Sequence, residues 1–197
     1  MEIKNIEKII KNLTDVFYKA GKISIELRNK GLIKHIKNDK TPVTNGDIEV
    51  NNIILTNLKK ITPNLPIVSE ENSENKNLKL DTFWLVDPID GTYDYINNGD
   101  EFTINAGLII NKSVAAGIIY APAKNRMFYT FGNDISYELN NNIEKVLNNK
   151  KIDKENIKAV SYSNNLNSDI LELHKKLNVK EYVKMKSSIK FCVVATG

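Results

Sequence analysis

The run Phe83-Trp84-Leu85-Val86-Asp87-Pro88-Ile89-Asp90-Gly91-Thr92 constrains this chain more than any other stretch. Phe83 to Val86 is apolar and of strand length, and it delivers Asp87 to the point where the strand would end. Pro88 has no N–H for a sheet ladder and Gly91 permits a tight turn, so the strand is predicted to stop here. Asp87 and Asp90 are then held on a stiff turn, with the carbonyl of Ile89 between them. Hard oxygen ligands are presented to Mg2+ in this way. Taken alone, the same turn also suits two Asp side chains that bond only to their own backbone.

A second stretch repeats the plan. Leu65-Pro-Ile-Val68-Ser69-Glu70-Glu71 is a short apolar strand followed by acids. Two strands ending in carboxylates predict one shared anionic cleft, because sites in α/β sheets gather at the carboxyl ends of strands. Clustered carboxylates raise one another's pKa until a cation neutralises them. Upstream, Thr41-Pro-Val-Thr44-Asn-Gly-Asp47 reads as a turn entering a helix, where Thr44 or Asp47 would serve as a cap.

The remaining pattern is mixed. Ile3, Ile6, Ile10, Leu13, Phe17 and Ala20 are spaced for an amphipathic helix packed on a sheet. Gly31 to Lys40 reads as a loop or hairpin, and a second helix runs from Asp47 to Ile61. Tyr93 to Ile96 opens a short helix. Strands are predicted over Thr103–Ile110, Val114–Ala121, Met127–Phe131 and Ile135–Leu139, with Tyr120, Tyr129 and Tyr137 as packing residues with hydrated hydroxyls. Asn72 to Lys79 is a polar surface loop, and the polar stretch Asn140 to Glu155 is read as a domain boundary. A strand, helix, strand and helix follow, at Ala159–Ser163, Ser168–Leu177, Tyr182–Met185 and Ile189–Ala195, the last capped by Ser187 or Ser188. The domains expected are 1–150, an N-terminal α+β metal-binding unit, and 151–197, a partial C-terminal α/β unit.

Composition narrows the function. The chain has 197 residues, 41% hydrophobic and 26% charged, which suits a globular protein with a real core. Its net charge of +4 is spread along the chain, so no nucleic-acid polymer is expected as a partner. The single cysteine, Cys192, lies in an apolar run and cannot form an internal disulfide, which suits a reducing compartment. No run approaches the roughly 20 apolar residues of a membrane span. A cytoplasmic location is expected, with peripheral contact at the inner membrane left open.

Five segments together resemble the inositol monophosphatase superfamily, and most closely its bacterial 3'(2'),5'-bisphosphate nucleotidase (CysQ-type) branch. They are Thr41-Pro-Val-Thr44 with Asp47, Val68-Ser-Glu-Glu71, Trp84 to Thr92, Glu101-Phe-Thr-Ile-Asn105 and Ser187-Ser-Ile-Lys-Phe-Cys192. The resemblance implies a layered α-β-α-β-α sugar-phosphatase-like fold, α/β in class, and a Mg2+-dependent phosphomonoesterase. It implies that Glu70, Asp87 and the Ile89 carbonyl hold a first Mg2+, and that Asp87 and Asp90 hold a second. Glu70, Ile89, Asp90, Gly91, Thr92 and Ser188 would border the phosphorylated substrate. Thr92 with Asp47 would orient and deprotonate the attacking water, assisted by Glu70. Lithium sensitivity is a further implication.

Three departures bear on this reading. The family's last metal-binding Asp, in a Trp-Asp pair, has no counterpart, since Trp84 is the only tryptophan. Ser161-Tyr-Ser-Asn164 stands where the nucleotidase branch has Ser-Arg-Ser-His, and Lys186-Ser-Ser188 stands for Gly-Ser-Ser. The substrate expected first is 3'-phosphoadenosine 5'-phosphate. Inositol-1-phosphate or another sugar phosphate is the alternative within the enzyme class, and an inactive truncated remnant is the alternative outside it. An unfinished α/β unit also exposes a strand edge and an apolar patch, which favours a homo-oligomer.

Overall fold

The computed structural model describes residues 3–37, 40–72, 79–132, 134–147 and 155–196. Helix α1 spans Ile3–Lys30, and Ile6, Ile10, Leu13, Phe17 and Ala20 are all buried along one stripe. The helix runs well beyond Ala20. Ser24 continues the buried face, its hydroxyl donating to the Gly21 carbonyl at 2.7 Å. Gly31, at φ 100°, supplies the left-handed residue that ends it. Strands β1 (Lys34–Ile36) and β2 (Pro42–Thr44) form an antiparallel hairpin that leads into helix α2 (Asn45–Ile61).

The centre of the fold is a seven-stranded sheet. It contains β3 (Ile67–Ser69), β4 (Phe83–Asp90), β5 (Thr103–Ile110), β6 (Ser113–Ala121), β7 (Arg126–Thr130), β8 (Ser136–Asn140) and β9 (Ile143–Leu147), in that spatial order. β3 and β4 are parallel and every other neighbouring pair is antiparallel. Helices α1 and α2 pack against each other and on one face of this sheet. Trp84 is fully buried there, and its indole N–H donates to the Thr62 hydroxyl at 3.0 Å. The opposite face is more open, with Leu85 half exposed.

Several expectations need correction. The strand through Trp84 does not stop at Asp87 but continues to Asp90. Asp87 pairs with Asn105 and Asp90 with Thr103, so three steps on β4 oppose two on β5. This is a bulge, and Pro88 occupies it where no ladder hydrogen bond is lost. β9 falls inside the stretch read as a polar boundary. Asn141 and Asn142, both at positive φ, make the two-residue turn that pairs it with β8. The hydroxyls of Tyr120 and Tyr129 donate to Asn125 and Glu144. The predicted loops at 73–78 and 148–154 lie outside the described residues.

The remaining elements follow the expected order: β10 (Ile157–Ser161), α4 (Ser168–Lys176), β11 (Val179–Lys184) and α5 (Ile189–Thr196). β10 and β11 are parallel and form their own two-stranded sheet. Ser187 and Ser188 do not cap α5 with their side chains, which point into the site described next. Among the described residues no helix is long and apolar enough to cross a membrane.

Candidate active site

The cleft forms where β3 ends beside β4. Ser69 is paired with Val86, and the Glu70 amide donates to the Val86 carbonyl at 3.0 Å. Glu70 is thereby set beside Asp87, the two residues after the paired positions. Ser69 is locked by donating to the Asn51 side chain at 2.6 Å. The bulge then carries β4 to Asp90, and Gly91, at φ 89°, makes the turn into helix α3 (Thr92–Ile96). A non-glycine residue would be strained in this left-handed conformation.

Asp47 reaches the same place from another element. Its Oδ2 accepts from the Thr44 amide at 2.8 Å and the Thr44 hydroxyl at 2.6 Å, completing a capping box on α2. Its Oδ1 accepts from the Thr92 hydroxyl at 3.3 Å. The cap and the contact with the site use different oxygens of one carboxylate, so the two readings of Asp47 coexist. The Thr92 hydroxyl also lies 3.1 Å from the Ile89 carbonyl. One proton therefore faces two acceptors, and Thr92 can point it to either.

Electrostatics single out Asp87. Its Oδ1 is buried with no hydrogen-bond partner. Burial first, then the charges of Glu70 and Asp90, push its carboxyl up to about 8. Burial also raises Asp47, although hydrogen bonds from Thr44 and Thr92 oppose the rise. Asp90 is instead well supplied with donors: its Oδ2 accepts from the Ser187 hydroxyl at 2.9 Å and from the Ser188 amide at 2.5 Å.

Among the described residues no group of three or more His, Cys, Asp or Glu side chains is arranged to hold a metal ion as it stands. A lysine already supplies positive charge at one edge. Lys37 Nζ donates to Glu70 Oε1 at 3.1 Å and to Glu71 Oε1 at 2.6 Å. The donor set nevertheless fits a hard cation, since carboxylates converge on a buried, partnerless carboxylate oxygen.

Sequence reasoning brought Asp47, Glu70, Asp87, Ile89, Asp90, Gly91, Thr92 and Ser188 to one cleft, and the structure places all of them around it. It missed Lys37, which sits in a segment read only as a loop or hairpin and carries no local motif. It also missed the support behind the cleft. Lys186 Nζ pairs with Asp94 Oδ1, the Lys186 amide donates to Glu101 Oε2 at 2.9 Å, and the Glu101 amide donates to Asp94 Oδ2 at 2.9 Å. Arg28, near the end of α1, donates to the Gly99 carbonyl at 2.6 Å and lies over the rings of Tyr95 and Phe102.

The family model described as the inositol monophosphatase family matches residues 5–197. The 3'(2'),5'-bisphosphate nucleotidase CysQ of Buchnera aphidicola is 34% identical over 206 residues, covering 99% of this chain and 75% of that protein. The protein of the same description from Escherichia coli K12 is 31% identical over 163 residues, covering 82% of this chain and 65% of that protein. The crystal structure of CysQ from Bacteroides thetaiotaomicron superposes with a TM-score of 0.72 at 27% identity, covering 93% of this chain and 74% of that one. The chain thus spans about two thirds to three quarters of the length of these relatives.

Proposed function

Because this chain belongs to the inositol monophosphatase family, a family of metal-dependent phosphatases, we propose that its cleft hydrolyses a phosphate monoester with Mg2+ bound at Glu70, Asp87, Asp90 and the Ile89 carbonyl. The observation that carries this reading is Asp87: a part-buried carboxylate with one buried, partnerless oxygen, raised by the nearby charges of Glu70 and Asp90. Bound Mg2+ would supply the positive charge that offsets these carboxylates and the substrate phosphate.

The chain's own groups do the rest. Thr92 presents its hydroxyl between the Ile89 carbonyl and Asp47 Oδ1, and Asp47 is raised by burial toward the range of a useful base. A water against the Thr92 oxygen would pass its proton through that hydroxyl to Asp47 Oδ1. The backbone at Gly91 and Thr92 would receive the phosphate, with Ser188 bordering it from the C-terminal segment. Lys37 balances the acidic edge at Glu70 and Glu71.

For the substrate, the relatives named 3'(2'),5'-bisphosphate nucleotidase favour 3'-phosphoadenosine 5'-phosphate, cleaved to AMP and phosphate. A sugar phosphate such as inositol-1-phosphate is the second reading, favoured by the lack of any basic residue in Ser161 to Asn164. The buried Cys192 thiol, pushed up to about 12 mainly by burial, is inert and suits a reducing, cytoplasmic setting.

The test is Mg2+-dependent release of phosphate from 3'-phosphoadenosine 5'-phosphate and from inositol-1-phosphate, with Asp87→Asn as control. Release that vanishes in the control supports the assignment, and the ratio between substrates decides between the two readings. Release that persists in Asp87→Asn overturns the role given to Asp87. No release from either substrate overturns the proposed activity.

A further inference from the structure

A row of short hydrogen bonds runs from the sheet to Asp90. The Thr103 hydroxyl lies 2.7 Å from Ser187 Oγ and 2.6 Å from Ser188 Oγ. Ser187 Oγ lies 2.9 Å from Asp90 Oδ2 and 3.2 Å from the Asp90 carbonyl, and Ser188 Oγ lies 2.9 Å from Asn105 Oδ1. Thr103 is fully buried. Thr103 and Asn105 come from β5, Asp90 ends β4, and the serines belong to the turn before α5, where Ser187 is at φ 53°. The turn before α5 is therefore tied to the seven-stranded sheet at this point.

Counting protons fixes the direction of the row. Each hydroxyl donates once. With Asp90 a carboxylate, which only accepts, Ser187 must donate to it. If Asn105 offered its oxygen to Ser188, three hydroxyl protons would have to serve four contacts. One buried oxygen pair would then face each other at hydrogen-bond distance with no proton between them. Turning the Asn105 amide so that its NH2 faces Ser188 supplies the fourth proton, and an amide's two ends are told apart only by such a network. Each link of the row is then satisfied in one direction: Asn105 to Ser188, Ser188 to Thr103, Thr103 to Ser187, and Ser187 to Asp90, whose carbonyl shares the Ser187 proton with Oδ2. Hydrogen bonds aligned head to tail polarise and strengthen one another.

We propose that Thr103, with Asn105 at the head of the row, is a positioning residue for Asp90. The row and the Ser188 amide occupy Oδ2 together, which fixes the tilt of the carboxylate and leaves Oδ1 to a cation. The cation part of this proposal rests on the reading of Asp90 given above. Neither Thr103 nor Asn105 need touch metal or substrate to act, because each works through the serines.

The experiment uses the full chain. Thr103→Val removes the hydroxyl and keeps the shape, Thr103→Ser keeps the hydroxyl, and Ser187→Ala breaks the next link. The first measurement is urea unfolding of Thr103→Val, Asp90→Ala and the double variant, all without metal. The cost of Thr103→Val should shrink by about half or more in the Asp90→Ala background. Additive costs overturn the proposal. The second is calorimetric binding of Mg2+. Thr103→Val and Ser187→Ala should each weaken it about three- to tenfold, and Thr103→Ser should restore it. Unchanged affinity in both folded variants overturns the positioning role. Absence of Mg2+ binding in the unmutated chain would count against the proposed function, while the unfolding cycle would still decide whether Thr103 acts through Asp90.

Discussion

The region around the seven-stranded sheet and the region after residue 155 are built from similar elements but buried very differently. The first encloses Phe17, Trp84, Phe102 and Leu108 completely between helices and sheet. Of the described residues from 155 to 196, only Ile189 and Cys192 are buried, and Leu173, Tyr182, Val183, Phe191 and Val194 are exposed. A buried core stabilises in proportion to the apolar area removed from water. The first region therefore holds the chain folded, and the second is tied to it by polar contacts at Lys186, Ser187 and Ser188 and buries only Ile189 and Cys192. The cleft draws its acids from the stable region and part of its hydrogen bonding from the other.

The strongest way to break this comparison is in the core. Trp84→Ala removes a fully buried ring and the indole N–H that donates to the Thr62 hydroxyl, so it should cost about 3–5 kcal/mol in urea unfolding. Val183→Ala, at a half-exposed position, should change stability by less than about 0.5 kcal/mol. Similar costs for the two would mean that both regions form one core.

A second test concerns the carboxylates that the stable region holds together. The Asp87 carboxyl sits near 8 in the fold and near 4 when unfolded, so between those values the folded chain binds the extra proton. Stability of the metal-free chain should therefore fall as pH rises from 5 to 8. Asp87→Asn should flatten that slope, and a slope of the opposite sign would show that another group dominates.

Lys37 offers a smaller effect. Replacing it with Met removes a cation from Glu70 and Glu71, so Mg2+ should bind about two- to fivefold more tightly, as expected for a partly exposed ion pair. Weaker binding would show that Lys37 helps to hold the site rather than competing for it.

The smallest effect sits at the junction of the regions. Burial alone would raise Asp94, but Lys186 and the Glu101 amide outweigh it and hold the carboxyl below its usual range. A depressed carboxyl stabilises the fold above its unfolded pKa, and that contribution is lost as pH falls through the folded value. Lys186→Met should therefore unfold more readily than the unmutated chain at pH 6. The two should converge as the pH is lowered below about 4.

The fold was legible where pattern and period were strong. The 3.6-residue spacing gave α1 its buried stripe, and the alternation in Thr103–Ile110 gave β5 its register. Pro88 misled because proline is excluded from ladders but not from bulges, and a bulge is defined by the partner strand. Glu70 and Asp87 were legible because each closely follows a short apolar run. Lys37, Asp94 and Lys186 were not, because their partners lie 34 and 92 residues away and only the closed fold brings them together.

Helix α1 touches both ends of this arrangement. Lys11 lies over the Phe131 ring near the far strands, and Arg28 holds the Gly99 carbonyl behind the cleft. A helix turns by about 100° for each residue, so its length is also its phase. Inserting or deleting one residue between Lys11 and Arg28 would swing the guanidinium off its turn while leaving composition nearly unchanged. A substitution on the wet side of the helix leaves that phase intact, whereas a change of length between the two contacts does not.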